Sequence, residues 1–220
     1  MTTQTNDIRL SDQLEAYKQH FLKKADARKI RVFDEGVEDV AQQGLTTSAL
    51  QKGDQYLDFT LKNAQGTEVQ LSEVLAKGPI VLTWYRGGWC PYCNMQLRAF
   101  QQILPEIESL GAELVALTPE LPDNSLSTQE KNELSFEVLT DEDNTIAKQY
   151  GLVFKLTPEV SVYYKDAFDL EVYNGNTTDE LPLAATYVID RDGVIKYAFL
   201  DADYRVRAEP SEVLEVLKGL

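Results

Sequence analysis

Residues 79–93 read Pro-Ile-Val-Leu-Thr-Trp-Tyr-Arg-Gly-Gly-Trp-Cys-Pro-Tyr-Cys, an apolar run followed by two cysteines three positions apart. The apolar run predicts a buried strand over residues 80–85, and Pro91 is typical of the first position of a helix. Cys90 would then lie at the start of that helix, where free backbone N–H groups favour a thiolate over a thiol. The stretch therefore predicts redox chemistry at Cys90.

The cysteine pair has two other interpretations, a structural disulfide and a metal site. A disulfide across three positions closes almost no loop, so it would remove little conformational entropy from the unfolded chain. A structural zinc ion needs about four ligands, and the chain offers only these two cysteines and one distant histidine, His20. We therefore predict that Cys90 and Cys93 form a redox-active pair, with no bound metal and no cofactor.

Composition narrows the range of partners. The chain has 220 residues, enough for one large core, and a formal net charge of −15. No basic cluster is available to neutralise phosphates, so we expect neither nucleic acid nor a membrane surface as a partner. The first residues show no charged segment followed by an apolar one, so we expect no secretion signal, and no apolar run reaches the ~20 residues of a membrane span. These features favour a cytoplasmic protein whose partners are small molecules or proteins.

Residues 1–50 are predicted to form an N-terminal helical arm. Apolar side chains recur at helical spacing from Asp12 to about Ala25, and Asp12 with Glu15 indicates a capping box at the start. A second, weaker helical pattern ends near Gly44. The apolar stripe of the arm must be buried, either against the chain's own domain or in a homodimer contact.

Residues 51–220 are predicted to form one α/β domain. After Gly53 the pattern changes to short alternating runs, and strands then alternate with helices as in a parallel βαβ unit. Residues 152–182 show no clean periodicity and are interpreted as an insertion. The predicted strands cover residues 58–61, 68–71, 80–85, 114–118, 136–139, 186–190 and 194–199, and the predicted helices cover 91–110, 127–134, 144–150 and 210–218. Antiparallel strands after a parallel unit, with a final helix, predict a thioredoxin-like fold in which helices flank a central mixed sheet.

Three segments together resemble one protein family. Residues 53–59 read Gly-Asp-x-x-x-Asp-Phe, residues 81–94 contain Trp-Tyr-Arg-Gly-Gly-Trp-Cys-Pro-Tyr-Cys-Asn, and residues 187–193 read Tyr-Val-Ile-Asp-x-Asp-Gly. They resemble the peroxiredoxin-like branch of the alkyl hydroperoxide reductase and thiol-specific antioxidant (AhpC/TSA) family, within the thioredoxin superfamily. The resemblance covers about residues 53–210 and leaves the arm outside it. It implies a thiol peroxidase that reduces hydrogen peroxide or organic hydroperoxides and is reduced in turn by a thiol donor, either a thioredoxin-like protein or a low-molecular-weight thiol.

The chain departs from the pattern of this family at three positions. Relatives carry a proline and a threonine shortly before the attacking cysteine, where this chain has Thr83 and Gly87. Relatives with a thioredoxin-type site place a cis-proline before the strand that faces the cysteines, where this chain has Ala184. A trans peptide bond is expected there, because a cis bond without proline costs about 2.5–4 kcal/mol.

The order of the motif assigns roles to the two cysteines. Cys90 is the predicted attacking thiolate, because it is closest to the positive end of the helix dipole. Cys93, one turn further along, is predicted to resolve a sulfenic acid on Cys90 into an internal disulfide. Arg86 is the nearest cation that could hold the thiolate and the departing oxygen. Arg205 and Arg207 are weaker candidates for this role. The residues assigned to the substrate pocket are Trp89, Tyr92, Thr83 and Arg207.

Two other functions would use the same cysteines. A thiol-disulfide oxidoreductase of the thioredoxin type would pass electrons to a protein disulfide through a mixed disulfide. A redox-controlled binding module would use the disulfide only to switch a surface. Fast, saturable turnover would separate the two enzymes from the binding module.

Overall fold

A seven-stranded mixed sheet forms the centre of the protein in the computed structural model, which describes residues 9–220. Two further strands, β6 and β7, pair with each other in a separate small sheet. The strands within the described residues are β1 (Thr60–Asn63), β2 (Glu68–Gln70), β3 (Ile80–Trp84), β4 (Glu113–Thr118), β5 (Glu137–Thr140), β6 (Val153–Lys155), β7 (Glu180–Pro182), β8 (Thr186–Ile189) and β9 (Ile195–Phe199).

Helices cover both faces of the central sheet. Those within the described residues are α1 (Leu10–Lys24), α2 (Ala27–Gln42), α3 (Leu45–Ser48), α4 (Leu71–Leu75), α5 (Pro91–Ser109), α6 (Pro122–Asn132), α7 (Thr145–Gln149), α8 (Pro158–Phe168), α9 (Leu170–Asn174) and α10 (Pro210–Lys218). No helix in residues 9–220 combines the length and the apolar character that crossing a membrane requires.

The order of the strands confirms the predicted mixed topology. The central sheet runs β2-β1-β5-β4-β3-β8-β9. Strands β3, β4 and β5 are parallel to one another, whereas β8 pairs antiparallel with β3, and β9 pairs antiparallel with β8. Because β3 and β4 are parallel neighbours, their carboxyl ends meet at one edge of the sheet. The loops that follow these two strands are therefore brought together there.

Strand β3 separates two apolar cores. Side chains of a strand alternate between its faces, so Ile80, Leu82 and Trp84 join the core that contains α2, α4 and α8. Val81 and Tyr85 join the other core, which contains α1, α5 and α10. Burial on both faces explains why the sequence of β3 is apolar throughout rather than alternating.

Helices α1 and α2, which belong to the predicted arm, pack against the rest of the same chain. Helix α1 buries Leu10 and Leu14 in the core that contains α5, and the buried side chains of α2 join the core that contains α8. The predicted capping box is wrong, because α1 begins at Leu10 and Asp12 lies inside its first turn. The free N–H groups at the start of α1 instead donate to the carboxylate of Glu209, at 2.7 Å from Ser11 and 3.3 Å from Leu10.

Residues 152–182, interpreted from the sequence as an irregular insertion, contain two strands and two helices. The helices are short, and Thr157 caps α8 by accepting a hydrogen bond from the N–H of Val160 at 3.4 Å. Short elements produce too few periods for a pattern to be seen in the sequence. The predicted start of α6 at Ser127 is also wrong, since that helix begins at Pro122 with proline in its first turn.

Candidate active site

Cys90 lies at the junction of β3 and α5, as the N-cap residue of the helix. Its backbone N–H donates to the carbonyl of Gly87 at 3.0 Å and closes a tight turn. Gly87 has a φ of +146°, and a side chain at this position would collide with the indole of Trp89. The turn before Cys90 therefore requires glycine at the position where the resemblance led us to expect threonine.

Both cysteines are free and buried, with 1% of Cys90 and 0% of Cys93 exposed. Burial by itself raises the pKa of Cys90, but a hydrogen bond from the Cys93 thiol and the charges of Arg86 and Arg207 lower it to about 5. Burial and the hydrogen bond to Cys90 raise the pKa of Cys93 well above its usual range. At neutral pH the pair therefore holds one thiolate, on Cys90, and one thiol, on Cys93.

Two buried arginines supply the positive charge. Arg207 reaches the pair from the loop before α10, and its Nη2 donates to Cys93 Sγ at 3.3 Å and lies 4.0 Å from Cys90 Sγ. Arg86 follows β3, and its Nη2 donates to the hydroxyl of Tyr164 at 2.9 Å. Within the described residues neither guanidinium forms an ion pair with a carboxylate. Their charge is therefore available to the thiolate.

An aromatic cavity of about 210 Å³ lies beside Cys90. The ring of Trp89 stacks on Phe168 with 4.4 Å between the ring centres. Tyr92 contacts the edges of Tyr17 and Tyr204, with ring centres 5.2 and 5.7 Å away. The cavity is lined by Tyr17, Phe21, Lys29, Phe33, Arg86, Trp89, Cys90, Pro91, Tyr92, Tyr163, Tyr164, Ala167, Phe168 and Tyr204.

Tyr164, on α8, lines this cavity together with Arg86. The hydroxyl accepts from Arg86, and among residues 9–220 no acceptor lies within hydrogen-bond distance for its own hydrogen. Burial raises the pKa of Tyr164, so the hydroxyl is protonated at neutral pH. It can therefore donate to a molecule that enters the cavity. This residue was not predicted from the sequence, because α8 lies in the segment interpreted as an insertion.

Glu120 is a second functional candidate that the sequence analysis missed. It follows β4 at the edge of the sheet where Cys90 follows β3, and it is fully buried. Its carboxylate accepts from the N–H of Gly88 at 2.8 Å and from the hydroxyl of Thr128 at 3.4 Å. Burial, opposed by the Gly88 hydrogen bond and supported by the nearby Cys93, raises the pKa of Glu120 to about 7. The sequence did contain one signal for this residue: a carboxylate that closely follows β4, the strand that the βαβ pattern predicted to lie beside β3.

The pocket and cation candidates predicted from the sequence lie in different places. Trp89 and Tyr92 line the cavity, but Thr83 does not, because its hydroxyl lies between strands, 3.1 Å from the carbonyl of Ala185 and 2.9 Å from Thr186 Oγ1. Arg207 also lies outside the lining, although it contacts the cysteines directly. The charge of Arg205 is used elsewhere, in ion pairs of 2.7 Å with Asp34 and with Asp203.

The peptide bonds near the site are all trans, as expected at Ala184, and the described residues contain no cis bond. The model of the AhpC/TSA family matches residues 52–198 of the chain. The chain belongs to the AhpC/TSA family. The family resemblance identified in the sequence is thereby confirmed.

Curated relatives of the chain are peroxiredoxins Q of plants. The chloroplastic peroxiredoxin Q of Triticum aestivum is 27% identical over 180 residues, which cover 82% of this chain and 72% of the relative. That of Sedum lineare is 27% identical over 169 residues, which cover 77% of this chain and 78% of the relative. These relatives support the expected thiol peroxidase activity, whereas the expected cytoplasmic location is not shown by them.

Solved structures of peroxiredoxins share the fold. The peroxidoxin BcpB of Mycobacterium tuberculosis has a TM-score of 0.62 and 22% identity, covering 78% of this chain and 98% of its own. The peroxiredoxin Q of Xanthomonas campestris has a TM-score of 0.55 and 17% identity, covering 73% of this chain and 90% of its own. The predicted α/β thioredoxin-like fold, with a central mixed sheet flanked by helices, is thereby confirmed.

Proposed function

We propose that this AhpC/TSA protein is a thiol peroxidase in which Cys90 attacks the peroxide and Cys93 resolves the product. The observation that supports this most is a buried thiolate beside a buried thiol, with two arginines that no carboxylate among residues 9–220 neutralises. A peroxidase needs this arrangement, because its nucleophile must be a thiolate and negative charge moves onto a small leaving oxygen.

In the first step the Cys90 thiolate attacks the outer oxygen of the peroxide. An S–O bond forms, the O–O bond breaks, and the rest of the peroxide leaves as an alkoxide, or as hydroxide when the substrate is hydrogen peroxide. Arg86 and Arg207 stabilise the charge that moves from sulfur to oxygen. We assign the Tyr164 hydroxyl, which accepts from Arg86, as the donor that protonates the leaving oxygen, after which Tyr164 regains its proton from water. The products are a sulfenic acid on Cys90 and an alcohol or water.

In the second step Cys93 attacks the sulfur of Cys90, the S–S bond forms, and the sulfenic oxygen leaves as water. Oxidation removes the negative charge of Cys90, which is one of the causes that raise the pKa of Cys93. Arg207, 3.3 Å from Cys93 Sγ, then favours the Cys93 thiolate. Glu120 is a buried carboxylate whose pKa is raised in part by the charge of Cys93, and we assign it as acceptor of the Cys93 proton.

An external thiol completes the cycle by reducing the Cys90–Cys93 disulfide. We propose a thioredoxin-like protein or a low-molecular-weight thiol as this donor. We also propose a cytoplasmic location, and a homodimer as the alternative to a monomer.

The division into an arm of residues 1–50 and a domain of residues 51–220 is likewise a proposal. The packing of α1 on α5 and of α2 on α8 supports one folding unit in which the arm is tied to the domain.

The competing function is thiol-disulfide exchange with proteins, and the burial of Cys90 argues against it. A protein disulfide must reach the attacking sulfur directly, whereas only 1% of Cys90 is exposed. A peroxide group can reach the sulfur through the cavity that Cys90 lines.

Stopped-flow oxidation of the reduced protein tests the choice between these functions. Hydrogen peroxide, an organic hydroperoxide and the disulfides of insulin are compared in parallel, in the wild type and in Arg86→Met. We expect peroxide to react fastest and Arg86→Met to slow it by at least ~10-fold, about 1.4 kcal/mol, with little change toward insulin. Arg191→Met, which removes an exposed charge outside the cavity, is the matched control. Fast insulin reduction with slow peroxide attack in the wild type would reject the peroxidase in favour of the exchanger.

A further inference from the structure

The N-terminal arm forms one wall of the cavity beside Cys90. Tyr17 and Phe21 of α1 and Lys29 and Phe33 of α2 line it, opposite residues of the domain such as Trp89. The matched family region begins at residue 52. This wall is therefore an addition to the family domain, and it contributes groups that the peroxidase chemistry itself does not need.

Lys29 supplies the charge among these four residues. Its Nζ lies 5.9, 5.8 and 5.7 Å from the ring centres of Phe21, Phe33 and Tyr163. No carboxylate among residues 9–220 lies within ion-pair distance of it. Rings attract a cation, but they do not neutralise its charge. A half-buried ammonium group without a counter-ion is therefore left facing the cavity.

The charge of the cavity is opposite to that of the whole chain. The chain has a formal net charge of −15, yet those residues of the lining that lie within positions 9–220 include two cations, Arg86 and Lys29, and no aspartate or glutamate. Arg86 acts on the thiolate of Cys90. Lys29 is not among the main causes that shift the pKa of Cys90 or Cys93. Its charge therefore remains available to a ligand.

Two aromatic rings connect the two cations. Lys29 contacts the ring of Phe33, that ring lies 5.8 Å from the ring of Tyr164, and the Tyr164 hydroxyl accepts from Arg86. A ligand that reaches from Lys29 to Cys90 must therefore lie along apolar ring surface. Such a ligand has an anionic group at one end, an apolar body, and its reactive group at the other end.

We propose that the cavity binds an organic hydroperoxide that carries a carboxylate, with the carboxylate at Lys29 and the peroxide at Cys90. This inference rests on the thiol peroxidase function proposed above and names the substrate class of the same site. The chemistry is unchanged, since the hydroperoxide is reduced to the alcohol while two thiols become a disulfide. The carboxylate takes no part in the reaction and serves only to position the substrate.

The test compares two substrates that differ only in charge, the hydroperoxide of linoleic acid and its methyl ester, below the concentration at which they form micelles. Second-order rate constants for oxidation of Cys90 are measured in the wild type, in Lys29→Met and in Lys77→Met. Lys77 is an exposed lysine outside the cavity lining, so Lys77→Met controls for the loss of one charge from the whole chain. Binding of linoleic acid itself, which has no peroxide, is followed in parallel by quenching of tryptophan fluorescence, to which Trp89 in the cavity and Trp84 in the core both contribute.

In the wild type we expect the acid to react faster than the ester. The ratio of acid to ester rate constants should fall at least ~5-fold in Lys29→Met, about 1 kcal/mol, and stay the same in Lys77→Met. Quenching by linoleic acid should weaken in Lys29→Met alone. An unchanged ratio in Lys29→Met, or a wild type that prefers the ester, would overturn the carboxylate site while leaving the peroxidase intact. Failure of every peroxide, hydrogen peroxide included, would instead reject the proposed function.

Discussion

Replacing Arg207 by methionine should raise the pKa of Cys90 by an amount that the geometry allows us to estimate. Arg207 Nη2 lies 4.0 Å from Cys90 Sγ, and two unit charges at about 4 Å interact by about 4 kcal/mol at an effective dielectric constant of about 20. One pKa unit corresponds to about 1.4 kcal/mol. The guanidinium charge is delocalised and Arg86 remains, so we expect a rise of about 2 units rather than the full ~3.

The effect of Arg207→Met on reactivity should depend on pH in a defined way. The pKa of Cys90 is lowered to about 5, so the thiolate is present above this pH and is lost as the pH falls through it. With a shift of about 2 units the variant would be largely protonated at pH ~6, where the wild type is largely thiolate. Alkylation of Cys90 should therefore be about 10-fold slower in the variant near pH 6 and nearly equal near pH 9.

Alkylation with iodoacetamide across this pH range, with the labelled peptide identified by mass spectrometry, measures the two midpoints. Arg207→Lys, which keeps a positive charge, is the matched control and should shift the midpoint less. Near-ultraviolet circular dichroism establishes that each variant is folded. A midpoint in Arg207→Met within about half a unit of the wild type would refute the electrostatic account of the Cys90 thiolate.

Tyr164→Phe should slow peroxide attack at least ~10-fold but leave iodoacetamide alkylation of Cys90 nearly unchanged. The reason is that only the peroxide reaction has a leaving oxygen to protonate. Equal losses of rate in both reactions would mean that the hydroxyl only holds Arg86 in place. Glu120→Gln keeps an oxygen for the hydrogen bond from Gly88 but cannot take a proton, so disulfide formation should slow while the first step does not. The pKa of Glu120 is raised to about 7, so disulfide formation in the wild type should become faster as the pH rises through this value. Glu120→Gln should lose that pH dependence. A variant that keeps the wild-type pH profile would show that Glu120 does not accept the proton.

The sequence predicted those strands and helices that are marked by an apolar run or a local motif. Strand β3 and the start of α5 are clear in the sequence because an apolar run, a Cys-x-x-Cys motif and a proline fall together. Helix α10 begins at Pro210 and ends at Lys218 as predicted. The start of α1 was misplaced because its first N–H groups are capped by Glu209, which lies 198 residues away from Ser11 in sequence. No local pattern can reveal a cap that comes from the other end of the chain.

The candidate site likewise contains residues that the sequence predicted and residues that it did not. Arg86, Cys90 and Cys93 lie within eight residues of one another, so their proximity follows from the motif. Arg207 was assigned from the sequence to the substrate pocket and was only a weaker candidate for the cation beside the thiolate, yet the fold brings it to 3.3 Å from Cys93 Sγ. Tyr164 and Lys29 come from α8 and α2, and nothing in their local sequence indicates which cavity they line. Tertiary packing, rather than residue type, decides these positions.

Mass spectrometry of the product of a single turnover tests the central claim most directly. Reduced protein is mixed with one equivalent of an organic hydroperoxide, and the intact mass and the linked peptides are determined for the wild type and for Cys93→Ser. The account predicts that the wild type loses about two hydrogens and contains a Cys90–Cys93 link within one chain, and that Cys93→Ser holds a sulfenic acid on Cys90 that dimedone captures. A sulfenic acid found on Cys93 in Cys90→Ser at the same rate, or a product that is chiefly a disulfide between two chains, would contradict it.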